Sequence, residues 1–129
     1  MPQIEQTYHI NAPAHKVWQA LTDPALIEQW SGTKATMNDQ VGTKFSLWDG
    51  DMHGTNTEAI EDKLLIQDWF GGDWGKPSHV EFTLQEDDGK TVLTLVHDDL
   101  PDDEVKEFAD GWKEYYLGPL KELVETEHE

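Results

Sequence analysis

The sequence lacks two residue types entirely. None of its 129 residues is cysteine, which excludes disulfides, thiolate nucleophiles and cysteine-ligated zinc and agrees with a reducing cytoplasm. None is arginine, so 27 acidic residues face nine lysines, and the formal net charge with the six histidines neutral is −18. Phosphate backbones repel such a surface, and the arginine forks that read base edges are missing. We therefore expect no nucleic-acid partner, whereas a basic protein patch or a cation suits this charge.

Long hydrophobic runs are also missing. The aliphatic run Leu64–Ile66 is far too short to span a bilayer, and Met1–Glu5 shows neither the basic start nor the apolar stretch of a signal peptide. A chain of this length can bury a substantial core as one domain. The sequence predicts a single cytoplasmic domain over residues 1–129, without a membrane partner.

The N-terminal part carries one strand pattern and two helix patterns. Apolar and polar residues alternate over Ile4–Ile10, which predicts a strand. Asn11–Pro13 supplies a cap and an early proline for a helix over about Ala14–Leu21. Asp23-Pro24 repeats that signal for a second short helix that reaches Trp30.

Five further strands follow, mostly separated by short turns. Glycine and aspartate mark turns at Asp49–Asp51 and Asp87–Gly89, and residues 71–77 form a glycine-rich loop. Short turns between successive strands favour an antiparallel sheet. The predicted strands are Val41–Trp48, His53–Ile60, Leu64–Phe70, Ser78–Gln85 and Thr91–His97.

A helical period begins at Asp102. The carboxylates of Asp102–Glu104 suit the positive end of the helix dipole in its first turn. Gly118 and Pro119 interrupt the pattern, because glycine weakens a helix and proline cannot donate to the carbonyl one turn back. We predict a kink or a break between Tyr115 and Pro119. The apolar stripe consists of Val105, Phe108, Ala109, Trp112, Tyr116, Leu120 and Leu123.

Motifs for catalysis and metal binding do not fit the sequence. Asp49–Gly54 begins like a calcium loop, but Ile60 stands at the twelfth position, where the loop needs a carboxylate. The six histidines show no paired helical spacing, and no serine stands in Gly-x-Ser-x-Gly. Gly71-Gly72 is not followed by the lysine and hydroxyl of a phosphate loop. The sequence predicts no metal, no cofactor and no catalytic residue; a zinc site assembled only by the fold stays open.

The face of the sheet that meets the C-terminal helix is the candidate site. His97 ends the strand face that bears Leu93 and Leu95, so its ring either serves a ligand, acts as acid or base, or is satisfied by backbone or water. The sequence leaves open whether the aromatic side chains fill the interior or leave a pocket. The candidate ligand-binding residues are Phe82, Leu84, Leu93, Leu95, His97, Phe108, Trp112, Tyr116, Trp69 and Asn56.

Residues spread along the chain resemble a known family. The most specific are Trp69 followed by Trp74, and Gly111-Trp112 followed by Tyr115–Leu117. The chain resembles the START-like (SRPBCC) superfamily and, within it, the Aha-type family, homologues of the C-terminal domain of the activator of the ninety-kilodalton heat-shock protein ATPase. Further matching residues are Ile10–Pro13, Val17-Trp18, Ala20–Thr22, Trp30, Val41-Gly42, Phe45, Leu93–Leu95, His97 and Leu100-Pro101.

The resemblance implies an α+β helix-grip fold. Its parts are a six-stranded antiparallel curved sheet, two short helices after strand one, and a long C-terminal helix packed across the sheet. It also implies a non-enzymatic protein that is chaperone-associated or stress-related and acts through contacts with a chaperone or another basic protein surface. In the eukaryotic cochaperone a separate N-terminal domain, for which this chain has no room, supplies the main stimulation of the chaperone ATPase.

Two other functions stay open. The first is binding of a small hydrophobic or aromatic ligand in a cavity between the sheet and the C-terminal helix, as in many START-like relatives. The second is a cyclase- or hydrolase-type enzyme, which needs two polar groups that converge in that cavity. The pattern offers only His97, Tyr116 and Asn56 for that role.

Overall fold

The computed structural model describes residues 3–32, 35–37, 40–47, 52–71, 77–99 and 105–127. Within these ranges one strand is followed by two helices, five strands and a C-terminal helical stretch. We call α3, the π-helical turn and α4 together the C-terminal helix. The elements are β1 (Gln3–Ile10), α1 (Ala14–Thr22), α2 (Pro24–Ser31), β2 (Lys44–Leu47), β3 (Met52–Ile60), β4 (Leu64–Gly71), β5 (Ser78–Asp87), β6 (Lys90–Asp98), α3 (Val105–Gly111), the π turn (Trp112–Tyr116) and α4 (Leu117–Glu127).

The strands form one antiparallel sheet in the order β1-β6-β5-β4-β3-β2. β1 therefore lies beside the last strand, and α1 and α2 carry the chain from one edge of the sheet to the other. The register of β3 against β4 shifts between Asn56 and Glu58, a bulge that bends the strand and adds to the curvature of the sheet. This is the α+β helix-grip fold, as the sequence predicts.

The predicted turn at Asp87–Gly89 and the predicted start of the second strand can be compared with the structure. β5 and β6 turn tightly, with Asp87 opposite Lys90 and positive φ angles at Asp88 (55°) and Gly89 (79°). Positive φ at both central residues is typical of the type I′ hairpin. The strand predicted from Val41 begins later, at Lys44, because residues 41–42 form a turn and Gly42 has a φ of 85°.

The start of α1 differs from the prediction. Pro13, not Asn11, is the N-cap, and it has no capping side chain. Instead the carboxylate of Glu86 in β5 accepts a hydrogen bond from the backbone N–H of Ala14 at 2.8 Å. A glutamate from the sheet therefore satisfies one of the donors that a helix leaves open at its N-terminus.

The sequence predicts a kink or a break between Tyr115 and Pro119; the chain stays helical through Pro119, so the break does not occur. The irregularity is the π turn, in which the N–H of Leu117 bonds the carbonyl of Trp112, five residues back. The wider turn precedes the proline, which cannot donate a backbone hydrogen bond. The acidic first turn predicted over Asp102–Glu104 lies outside the described residues, as do the Asp49–Asp51 turn, Trp74 and Leu100-Pro101.

The core lies between the concave face of the sheet and the helices. Inward side chains of β5 and β6 pack against the C-terminal helix, and α1 and α2 pack against α4. None of the helices in the described ranges is both long enough and apolar enough to cross a membrane. Residues below 2% exposure include Leu65, Trp69, Phe82, Leu93, Leu95, Tyr116, Leu117 and Leu120.

Candidate ligand cavity

A cavity of about 460 Å³ opens where the C-terminal helix crosses the ends of β3 and β4. Its volume lies within the range of small-molecule sites, roughly 300–1,000 Å³. The two strands contribute one residue each, and α3 and the π turn contribute the others. The lining residues are Met52, Trp69, Glu107, Phe108, Gly111, Trp112, Tyr115 and Tyr116.

Three aromatic rings form the inner wall of this cavity. The ring centroids of Trp69 and Trp112 are 5.0 Å apart, those of Trp112 and Tyr116 are 4.7 Å apart, and those of Trp69 and Tyr116 are 5.9 Å apart. The planes are tilted by 41° to 53°, an arrangement that aromatic pairs favour over a face-to-face sandwich. All three side chains are at most 3% exposed, so the wall is rigid and pre-formed.

His97 lies behind this wall in a complete hydrogen-bond chain. The indole N–H of Trp112 donates to Nδ1 of His97 at 3.0 Å, which makes Nδ1 an acceptor and places the ring proton on Nε2. Nε2 then donates to Oγ of Ser78 at 2.8 Å, and that hydroxyl reaches the carbonyl of Trp69 at 3.4 Å. Both ring nitrogens are occupied within the protein.

Burial keeps His97 neutral. Desolvation, with a smaller contribution from the positive charge of nearby His79, lowers the pKa of His97 to about 3. Burial also raises the pKa of Tyr116 far above that of an ordinary tyrosine. Neither group changes its protonation state near neutral pH, so neither is suited to general acid or base catalysis.

A second buried polar chain runs across β4 and β3. The indole N–H of Trp69 donates to Oε1 of Gln67 at 2.8 Å, and Nε2 of Gln67 donates to Oδ1 of Asn56 at 2.8 Å. The same nitrogen lies 3.4 Å from the sulfur of Met37. Gln67 and Asn56 are fully buried, and each indole of the cavity wall therefore has its N–H fixed by a partner inside the protein.

The structure divides the ten candidate residues of the sequence into two groups. Trp69, Phe108, Trp112 and Tyr116 line the cavity. The other six are not among its lining residues in the described part of the chain, and all are at most 4% exposed. They are Phe82, Leu84, Leu93, Leu95, His97 and Asn56, of which the first four pack in the core and the last two belong to the buried hydrogen-bond chains.

Sequence reasoning missed four lining residues. Glu107, Gly111 and Tyr115 recur every four residues on one face of the C-terminal helix, beside the apolar stripe. That helical spacing is a signal in the sequence that points to them. Met52 carries no such signal, because its position at the cavity depends on how β3 begins.

One group of side chains has the donor atoms of a metal site. Ligand atoms of His15, Glu61 and Asp62 lie within 4.8 Å of one another, and Nδ1 of His15 is 3.3 Å from Oδ1 of Asp62. His15 and Glu61 are exposed. Exposed groups of this kind often pair through water or with each other, and we assign them no metal.

A second concave surface is strongly acidic. The turn between β3 and β4, residues 81–87 of β5 and the start of α1 form an open groove, called here the acidic groove. Its lining contains four carboxylates and one lysine. The lining residues are Ala14, His15, Asp62, Lys63, Leu64, Glu81, Thr83, Leu84, Gln85, Glu86 and Asp87.

Comparison with known proteins matches nearly the whole chain to one family. The family model described as Activator of Hsp90 ATPase homolog 1-like protein matches residues 11–125. An uncharacterized protein of Schizosaccharomyces pombe is 27% identical over 120 residues, which are 92% of this chain and 36% of that protein. Human activator of 90 kDa heat shock protein ATPase homolog 1 is 24% identical over 109 residues, which are 83% of this chain and 32% of that protein. The chain thus spans about a third of the length of these curated relatives.

A solved structure matches over a full chain. The crystal structure of an HSP90 activator from Plasmodium falciparum superposes with a TM-score of 0.88 and is 25% identical. The match covers 96% of this chain and 96% of that one. The likeness therefore extends over all the elements described above.

Proposed function

The chain belongs to the Activator of Hsp90 ATPase homolog 1-like family, and on that premise we propose that it is a non-enzymatic module that contacts a chaperone of the 90 kDa heat-shock class. The observation that carries the proposal is the match to the Plasmodium falciparum HSP90 activator, because it covers 96% of both chains. In this proposal residues 1–129 act as a single domain in the cytoplasm, in a response to stress.

The acidic groove is the proposed contact surface. It combines concave shape with the carboxylates of Asp62, Glu81, Glu86 and Asp87, and the whole chain carries a formal charge of −18. Complementary charge speeds encounter and selects partners more than it adds affinity. The partner surface is therefore basic, and its attraction weakens as salt rises.

Charge reversal tests this surface. Glu81→Lys with Asp87→Lys should lower the affinity for a purified 90-kDa chaperone at least about tenfold at low salt, measured by calorimetry. Glu28→Lys with Glu114→Lys changes the net charge by the same amount on exposed sites outside the groove. Equal affinity losses in both double variants would show that the effect comes from net charge and not from the groove. If the unaltered protein does not bind the chaperone at all, the proposal is wrong.

A second function is supported by the cavity beneath the C-terminal helix. Its volume of about 460 Å³ and its aromatic wall suit a small apolar or aromatic ligand. We propose that the protein binds such a ligand there, in addition to its protein partner or as the signal that controls it.

Filling the cavity tests the second function. A Cβ added at Gly111 would meet only the ring of Tyr115 at 3.9 Å, so Gly111→Leu can place its side chain in the cavity. This variant should bind the neutral dye Nile red more weakly, as measured by dye fluorescence. Asp110→Leu adds the same side chain to a neighbouring exposed site outside the lining and should bind as before. Unchanged dye binding by Gly111→Leu would place the dye elsewhere.

A further inference from the structure

We propose that the ligand of this cavity is a small organic cation, an ammonium group with apolar substituents. This inference rests on the proposed ligand-binding function and adds the chemical class of the ligand. Three features of the lining carry it: the number of aromatic rings, the charge of the one ionisable carboxylate, and the internal use of the indole N–H groups.

Aromatic rings dominate the lining. Trp69, Trp112 and Tyr116 form the inner wall, and Phe108 and the exposed Tyr115 of the C-terminal helix also line the cavity. Five of the eight lining residues are thus aromatic. The face of an aromatic ring attracts a cation within about 6 Å of the ring centroid. Cages of this composition are the usual binding sites for alkylated ammonium groups in proteins.

The charge of the lining favours the same class. Glu107 carries the only formal charge among the eight lining residues that the structure describes, and it is negative. His97, directly behind the wall, is neutral because burial lowers its pKa to about 3. The net charge of −18 adds a field of the same sign. The negative charges of Glu107 and of the whole chain attract a cation and repel an anion, and the neutral His97 adds no positive charge behind the wall.

The two indole donors of the wall are engaged inside the protein. The N–H of Trp112 bonds His97 at 3.0 Å, and the N–H of Trp69 bonds Gln67 at 2.8 Å. An anionic ligand needs such donors to replace its hydration, and these two are turned away from it. A cation needs only aromatic rings and a carboxylate. The lining of the cavity contains both, with Glu107 as the carboxylate.

A matched pair of ligands tests the charge. Choline and its neutral analogue 3,3-dimethyl-1-butanol, called dimethylbutanol below, have nearly the same shape. Choline has a quaternary nitrogen at the position where the alcohol has a carbon. Binding of each is followed by ¹⁵N-edited NMR of the indole and backbone N–H signals of residues 105–117. We expect choline to bind about tenfold more tightly than dimethylbutanol. Shifts should concentrate on Phe108 to Tyr116.

Three substitutions test the named groups. Glu107→Gln should weaken choline about threefold or more and leave dimethylbutanol unchanged, whereas Glu114→Gln, exposed on the same helix but outside the lining, should change neither. Tyr115→Leu should weaken choline selectively, because it keeps apolar bulk and removes a ring. Tyr115→Phe keeps the ring and should retain binding. Tyr115 and Glu107 are exposed, so these variants should fold.

The outcomes separate the two proposals. Tighter binding of choline that depends on Glu107 supports the cationic class. Equal or tighter binding of dimethylbutanol overturns that class and leaves the apolar-ligand function standing. If neither choline, dimethylbutanol nor Nile red binds at the cavity, the class of ligand and the ligand-binding function both fail.

Discussion

Gly118 and the carbonyl of Lys113 approach each other so closely that a side chain at residue 118 would collide with the backbone: a Cβ there would lie 2.0 Å from the carbonyl oxygen. The approach is a consequence of the π turn, which shifts hydrogen bonds to a spacing of five residues. The glycine that weakens the helical pattern in the sequence is therefore what the wider turn requires.

Replacing this glycine should reverse the usual effect of alanine in a helix. Glycine to alanine normally stabilises a helix interior by about 0.5 to 1 kcal/mol. Gly111→Ala, whose Cβ meets nothing closer than 3.9 Å, should follow that rule. Gly118→Ala should instead destabilise the protein by about 1 to 3 kcal/mol, because backbone must move. Urea denaturation measures both, and stabilisation by Gly118→Ala would rule out the π turn.

The buried neutral His97 predicts a specific dependence of stability on pH. Its folded pKa is about 3 and its unfolded pKa is near 6.5, so between these values the unfolded chain binds the proton and the native protein does not. The stability from the neutral ring is complete above pH 6.5 and is lost as the pH falls toward 3. Each tenfold change in proton affinity is worth about 1.4 kcal/mol, so the loss amounts to about 3 to 5 kcal/mol.

A variant that lacks only His97 isolates this contribution. His97→Gln keeps an amide that can bond Trp112 and Ser78 but cannot be protonated in this range. Its unfolding free energy should fall less steeply than that of the unaltered protein between pH 6.5 and pH 4, since the carboxylates titrate alike in both. Parallel curves over that interval would mean that His97 is accessible and titrates normally.

Gln67 should be essential to the core although it is polar. Gln67→Leu removes the acceptor of the Trp69 N–H and the donor to Asn56, and with them two hydrogen bonds between buried side chains. We expect a loss of about 2 to 4 kcal/mol in the free energy of unfolding. Adding Trp69→Phe to Gln67→Leu should cost less than the sum of the two single changes, and strict additivity would show that the hydrogen bond does not form.

Alternation and helical spacing predict most of the fold, because both reflect a single buried face. Leu93, Leu95 and His97 point inward from β6 as the alternating pattern indicates, and Trp112 and Tyr116 point inward from the C-terminal helix. Each of these residues is buried for a local reason, namely its position within a strand or a helix. A sequence shows such positions directly.

Features that depend on distant contacts could not be predicted in this way. The cap of α1 comes from Glu86, 72 residues away from Ala14, while Asn11 beside the helix does not provide it. His97 is neutral because the fold buries it, and its hydrogen-bond partners Trp112 and Ser78 are brought to it only by the fold. A cavity is space that side chains fail to fill, and its size follows from their packing and not from any one residue.

The most direct test of the proposed function follows the backbone signals of the isotope-labelled protein during addition of an unlabelled 90-kDa chaperone at low salt. We expect the first signals that broaden or shift to be those of the acidic groove, namely Lys63, Glu81 and Asp87. Added salt should reverse the change. Signals of Glu28 and Glu114 should stay in place. An unchanged spectrum with the chaperone in excess, or changes confined to residues outside the groove, would contradict it.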